Sequence, residues 1–127
     1  MEQPGGRGSV PRSVNTFETY TVVRVPFPFT ERQAQKQRPA VVLSRPSFQR
    51  GCGHLLLAMI TSARQSSWPL DWPLDDLQAA GLPQPCLVRF KLFTLDERLV
   101  LGELGVLGAA DRAGVSAHLG HLLPTGT

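Results

Sequence analysis

Cysteine is scarce in this chain, with two among 127 residues. Cys52 and Cys86 stand alone, show no zinc-ligand spacing, and sit in a chain long enough to need no staple. Both are expected to be free thiols in a reducing cytosol, Cys86 inside a strand core. Long apolar runs are missing too. The longest, LLLAMI at 55–60, falls far short of the roughly 18 residues of a membrane helix. The first residues lack the apolar centre of a secretory signal. Neither observation leaves room for a membrane partner. There is no glycine-rich phosphate loop of the Walker type and no GxSxG elbow. Carboxylates are nearly absent from the apolar, strand-like segments. Two-metal phosphodiester chemistry needs acids from several strands around one cleft, so that class is disfavoured. His118 and His121 are spaced for a ligand pair, but no third ligand accompanies them. Cations in the last turn of a helix have an electrostatic reason of their own. No metal and no cofactor is expected.

What is present fits one globular domain: 42% hydrophobic and 18% charged residues, with a formal charge of +3. The distribution of charge says more than its sum. Between Tyr20 and Arg50 the bases are Arg24, Arg32, Lys36, Arg38, Arg45 and Arg50, against the single acid Glu31, a local +5. Such a concentration suits an anionic partner.

Residues 1–17 are rich in glycine, proline and serine without a periodic apolar face, and are expected to form a flexible tail before a domain over 18–124. Strands are predicted at 20–25 (YTVVRV), from Pro39 through AVVLS, at 54–62 (HLLLAMITS), at 85–95 (PCLVRFKLFTL) and in LGELGVL. The connection PFPFTERQAQKQR is long for a β loop, and such loops often carry function. A turn-rich stretch with Asp71, Asp75 and Asp76 leads into a short helical turn, where those acids read as turn and cap chemistry. Val115, Leu119 and Leu122 recur at helical spacing in a terminal helix over 109–123, which Gly114 and Gly120 weaken. Short strands followed by one helix predict a small barrel or strongly bent antiparallel sheet.

One pairing carries chemistry. If the strands after Pro39 and before Ser62 form an antiparallel hairpin, Arg38 and Thr61 meet at one edge. Arginine offers a planar fork of donors and threonine a hydroxyl, a set that can hold a phosphodiester and stabilise added charge on it. The other reading is a solvated arginine and a threonine that merely ends a strand.

These segments, VRVPFPFT, KQRPAVVLS, LLLAMITS and WPLDDLQAAGLPQPCLVRFKLFTLDERLVLGELGVL, occur in an order that resembles the PemK/MazF family of bacterial toxins from about Tyr20 to Leu123. The resemblance implies a mainly β, SH3-like curved barrel with a C-terminal helix, usually a homodimer. It implies a cytoplasmic, metal-independent endoribonuclease that cuts single-stranded messenger RNA, inhibits growth, and is held by a cognate antitoxin, with which it binds DNA. The family's active-site arginine and threonine fall on Arg38 and Thr61. Phe29, Thr30, Lys36, Ser62, Arg89 and Lys91 are the expected RNA contacts. Core packing for Phe29 and a solvated charge for Lys36, Arg89 and Lys91 stand beside that assignment. Many relatives carry an acid before the lysine of KLFTL; here Phe90 precedes Lys91 directly, so the segment reads one residue short where a bulge is expected. The same barrel also supports a non-catalytic alternative, a toxin that grips a protein target or only its antitoxin.

Overall fold

A computed structural model of the chain describes residues 15–26, 37–63 and 67–124. Strand β1, Thr21–Pro26, is a β-branched run closed by its proline. Strand β2, Gln37–Val42, opens two residues before the expected start at Pro39. Pro39 has no N–H to donate, and it stands just before the ladder to the following strand begins at Ala40–Met59. Helix α1, Pro46–Cys52, is an element the apolar pattern did not announce. Proline at its start and left-handed Gly53 (φ 74°) at its end, with the Gly53 N–H donating to the Gln49 carbonyl at 2.7 Å, delimit it.

Strand β3, His54–Ser62, spans the residues expected of it. The turn-rich stretch contributes a two-residue strand β4, Trp72–Pro73, and the short helix α2, Leu77–Ala80, capped by the Asp76 carboxylate accepting from the Ala79 N–H at 3.0 Å. Strand β5, Cys86–Asp96, a 3-10 turn at Glu97–Leu99, strand β6, Gly102–Val106, and helix α3, Ala109–Leu122, complete the order. Six antiparallel strands run β4-β5-β3-β2-β1-β6 in one sheet. Register shifts at Val22/Val23 and Ala58/Met59 increase its bend and curl it into a half-barrel.

Alternation along the strands builds a core on each face. Val22, Val41, Ala58, Ile60, Val88 and Phe90 face Val115 of α3 on one side. Val23, Val25, Ala40, Val42, Leu55, Leu57 and Leu95 gather around Phe17 on the other. Of the segment read as a tail, residues 15–17 are described, and they are held: buried Gln49 accepts from the Phe17 N–H at 2.8 Å and donates to the Asn15 carbonyl at 2.8 Å. Cys86 is buried in β5, as expected, and burial pushes its thiol up; Cys52 is exposed.

Besides Val115, two residues of helix α3 fix it to the stretch around Trp72. Gly114 is not a weak point of the helix: a Cβ there would overlap the Trp72 indole, so its absence lets the ring lie against the helix backbone. Asp111, fully buried in the first turn, accepts from Trp72 Nε1 at 2.9 Å, the Asp75 N–H at 2.8 Å and the Asp76 N–H at 2.9 Å. Asp111→Ala removes the buried acceptor shared by three donors and is expected to destabilise the fold by roughly 2–5 kcal/mol in urea unfolding. Native protein treated with iodoacetamide is expected to be alkylated at Cys52 alone, with Cys86 reacting only after denaturation, as read by mass spectrometry.

Candidate active site and nucleic-acid face

The β2–β3 ladder pairs Val42 with Leu57, Val41 with Ala58 and Ala40 with Met59. Carried two residues further along the same strands, that register sets Arg38 level with Thr61. On its other side Arg38 is in register with Val25, and Thr61 with Leu87. Alternation puts all four on the face that carries Ala40 and Leu57. Arg38 and Thr61 are half-buried, and the Arg38 Nε is shielded from solvent. Ser62, opposite Cys86, lines a groove of about 240 Å³ with Ala63, Gln84 and Pro85. A larger apolar groove of about 450 Å³, between Ser44, Arg45, Ser47, Phe48 and Leu56, belongs to the other face, where Leu56 packs.

Between Ala58–Leu92 and Met59–Arg89 the β3–β5 register shifts, and Phe90 and Lys91 are passed over by the ladder. The bulge is therefore present at the segment that reads short. Its two residues are an even number, so alternation survives it. Phe90 points into the core, while Arg89 and Lys91 share the face of Arg38 and Thr61.

Arg89 is engaged within the protein. Its Nε donates to Asp71 Oδ1 at 3.2 Å and its Nη2 to Oδ2 at 2.9 Å, with both side chains nearly buried at 11% and 13% exposure. Asp71 thus does more than turn chemistry. The same carboxylate accepts from the Trp68 N–H at 3.0 Å. The Trp68 ring centre lies 5.9 Å from Arg89 Cζ and 5.1 Å from Lys91 Nζ. Phe29, Thr30 and Lys36 lie outside the described residues. His118 Nδ1 donates to the Leu70 carbonyl at 2.7 Å and its ring meets Trp72 edge-on, a packing role. Trp68 and Asp71 are the residues that sequence reasoning passed over. A tryptophan in the polar stretch SSWPLD, off any apolar period, was the available signal.

The architecture is a curled antiparallel half-barrel with a C-terminal helix, and solved structures share it. A MazE–MazF structure from Deinococcus radiodurans superposes with a TM-score of 0.68 at 22% identity, over 88% of this chain and 99% of the other. Toxin MazF-mt6 of Mycobacterium tuberculosis gives 0.64 at 19% identity, over 84% and 99%. An endoribonuclease in complex with its cognate antitoxin from a mycobacterial species gives 0.68 at 15% identity, over 89% and 98%. A comparison with curated protein sequences finds no match. A family model described as the PemK-like, MazF-like toxin of type II toxin–antitoxin systems matches residues 18–123, and the chain belongs to that family.

A double-mutant cycle over Asp71→Ala and Arg89→Ala, read by urea unfolding, is expected to return a coupling of about 1.5 kcal/mol or more. Exposed ion pairs typically stay below about 1 kcal/mol, so a smaller value would show that the fork is solvated in solution.

Proposed function

We propose that this chain is a metal-independent endoribonuclease, the toxin of a type II pair, which cuts single-stranded RNA. The register that sets Arg38 level with Thr61 carries the reading, with family membership behind it. In the reaction the RNA's own 2′-oxygen attacks the adjacent phosphorus and the bond to the 5′-oxygen breaks. The 2′-hydroxyl loses a proton and the leaving oxygen gains one. The products are a 2′,3′-cyclic phosphate and a free 5′-hydroxyl. The nucleophile is built into the substrate, so the protein's work is positioning and charge stabilisation.

Arg38 suits that work. Its guanidinium is a planar fork of donors with no acceptor, so it donates to the crowded phosphorane and does not take the 2′ proton. Thr61 donates its hydroxyl to a non-bridging oxygen. His54 sits at the far end of β3, opposite Asp96, out of range of the same phosphate. Lys91 extends the contact surface, and Phe29, Thr30 and Lys36 complete it in this reading; Ser62 alternates to the opposite face with its partner Cys86 and reaches a phosphate only around the end of the strand. Arg89 serves indirectly, as a clamped cation beneath Trp68.

Two of the similar structures hold a MazE or other cognate antitoxin. This chain is assigned a like partner and a homodimeric, cytoplasmic state. Among the described residues no helix is long and apolar enough to cross a membrane. Phe48, Leu99 and Leu101 are large apolar side chains left exposed for such partners.

The test is a long mixed-sequence RNA incubated with antitoxin-free protein in EDTA, beside Arg38→Ala, with the new ends mapped. Recurrent cuts with cyclic-phosphate ends, reduced at least about 100-fold in the variant, are expected. Intact RNA from both folded proteins would remove the nuclease reading and favour a toxin that acts by binding a protein.

A further inference from the structure

We propose that the Trp68 indole is a stacking platform for one unpaired nucleobase beside the scissile phosphate, with Lys91 set to take a neighbouring phosphate; this rests on the nuclease reading above. Trp68 is 40% exposed, yet its backbone is tied into the fold. Its N–H donates to Asp71, and Asp71 is itself forked by Arg89 on the sheet. The Asp71 N–H returns to the Trp68 carbonyl at 3.2 Å and closes the turn. Leu70 within it adopts a left-handed φ of 66°, costly for a leucine, and its carbonyl is secured by His118 of α3. A strained turn pinned from two elements presents one exposed aromatic ring.

The surroundings select the ligand. Two cations, Arg89 and Lys91, lie against the indole, and Asp71 forks the first of them. A flat π face beside positive charge matches a chain of bases joined by phosphates: the base stacks and the phosphate meets the ammonium. The location matches as well. Arg89 pairs with Met59, the position next but one to Thr61 on the same face of β3. A base on Trp68 would therefore belong to a nucleotide close to the one being cut. Stacking alone accepts every base; the fixed tilt of the ring makes it a candidate determinant of the base preferred next to the cut.

The probe is an RNA oligonucleotide carrying the motif mapped with wild-type protein, with a 2′-deoxy nucleotide at the cut so that it binds without reacting. Trp68→Ala, Trp68→Phe and Arg38→Ala are compared by anisotropy, tryptophan fluorescence and cleavage kinetics, with thermal melts confirming folding. Trp68→Ala is expected to weaken binding about tenfold or more, to raise KM more than it lowers kcat, and to relax the base preference beside the cut. Trp68→Phe is expected to restore most of the affinity while the RNA-dependent quenching of fluorescence is lost, since the remaining Trp72 is bonded to Asp111. Binding by Trp68→Ala within about twofold of wild type, with Arg38→Ala still inactive, would overturn the platform and leave the nuclease standing, even if the antitoxin bound Trp68 instead. A wild-type protein that neither binds nor cuts would remove both.

Discussion

The buried carboxylate of Asp111 is the constraint on which the site's outer half depends. A charge with no solvent contact is tolerated only when its oxygens are fully engaged. Here three donors meet it, two of them backbone N–H groups of the segment before α2 and one the indole of Trp72. The first turn of α3 adds the favourable end of the helix dipole. One side chain therefore ties the C-terminal helix to the irregular stretch between β3 and β5. Trp72 then pairs with Val88 at the sheet edge and lies over Gly114. From that anchored edge the turn that bears Asp71 and Trp68 reaches back over Arg89.

Much of this was legible from residue order, and the remainder was hidden for definite reasons. Strand β3 was readable to the residue because its six-residue apolar run is bounded by His54 and by Thr61 and Ser62, and the hairpin logic that pairs Arg38 with Thr61 needed only strand polarity. Helix α1 was missed because it buries few residues, Gln49 among them, and so shows no apolar period, although Pro46 and Gly53 mark its ends. Gly114 read as a flaw because propensity considers the helix alone; the ring that fills its space comes from a segment 42 residues earlier. The Asp71–Arg89 fork spans 18 residues and joins a turn to a strand, so no local pattern announces it. The β5 bulge was obscured because a length comparison counts residues and not ladder partners.

The cations of this face differ in electrostatic standing. Arg89 is nearly neutralised and acts as scaffold, because Asp71 lies within hydrogen-bond distance of two of its nitrogens. Lys91 sets its ammonium 5.1 Å from the centre of the Trp68 ring, on a flexible stem without arginine's planar fork. Arg38 stands on a strand between two other strands, with Nε shielded and its planar fork carried by rigid backbone. A side chain carried by a strand paired on both sides is held to one geometry, whereas one at a bulge has more latitude. Of these three only Arg38 belongs to the +5 stretch between Tyr20 and Arg50; the fold brings Arg89 and Lys91 to its face from β5.

Core and site are fixed by one register. Val42, Leu57 and Phe93 form the rung that packs around Phe17, and Ala40, Met59 and Arg89 form the next, with Arg38 and Thr61 one rung beyond. A one-residue slip of β2 on β3 would send Val42 and Ala40 toward the wrong core and Arg38 away from Thr61 in the same movement. The hydrophobic burial that opposes such a slip therefore also fixes the position of the arginine's backbone. The charge at the mouth of the core is positioned by the core: the apolar run that follows Pro39 is what aims the residue before it.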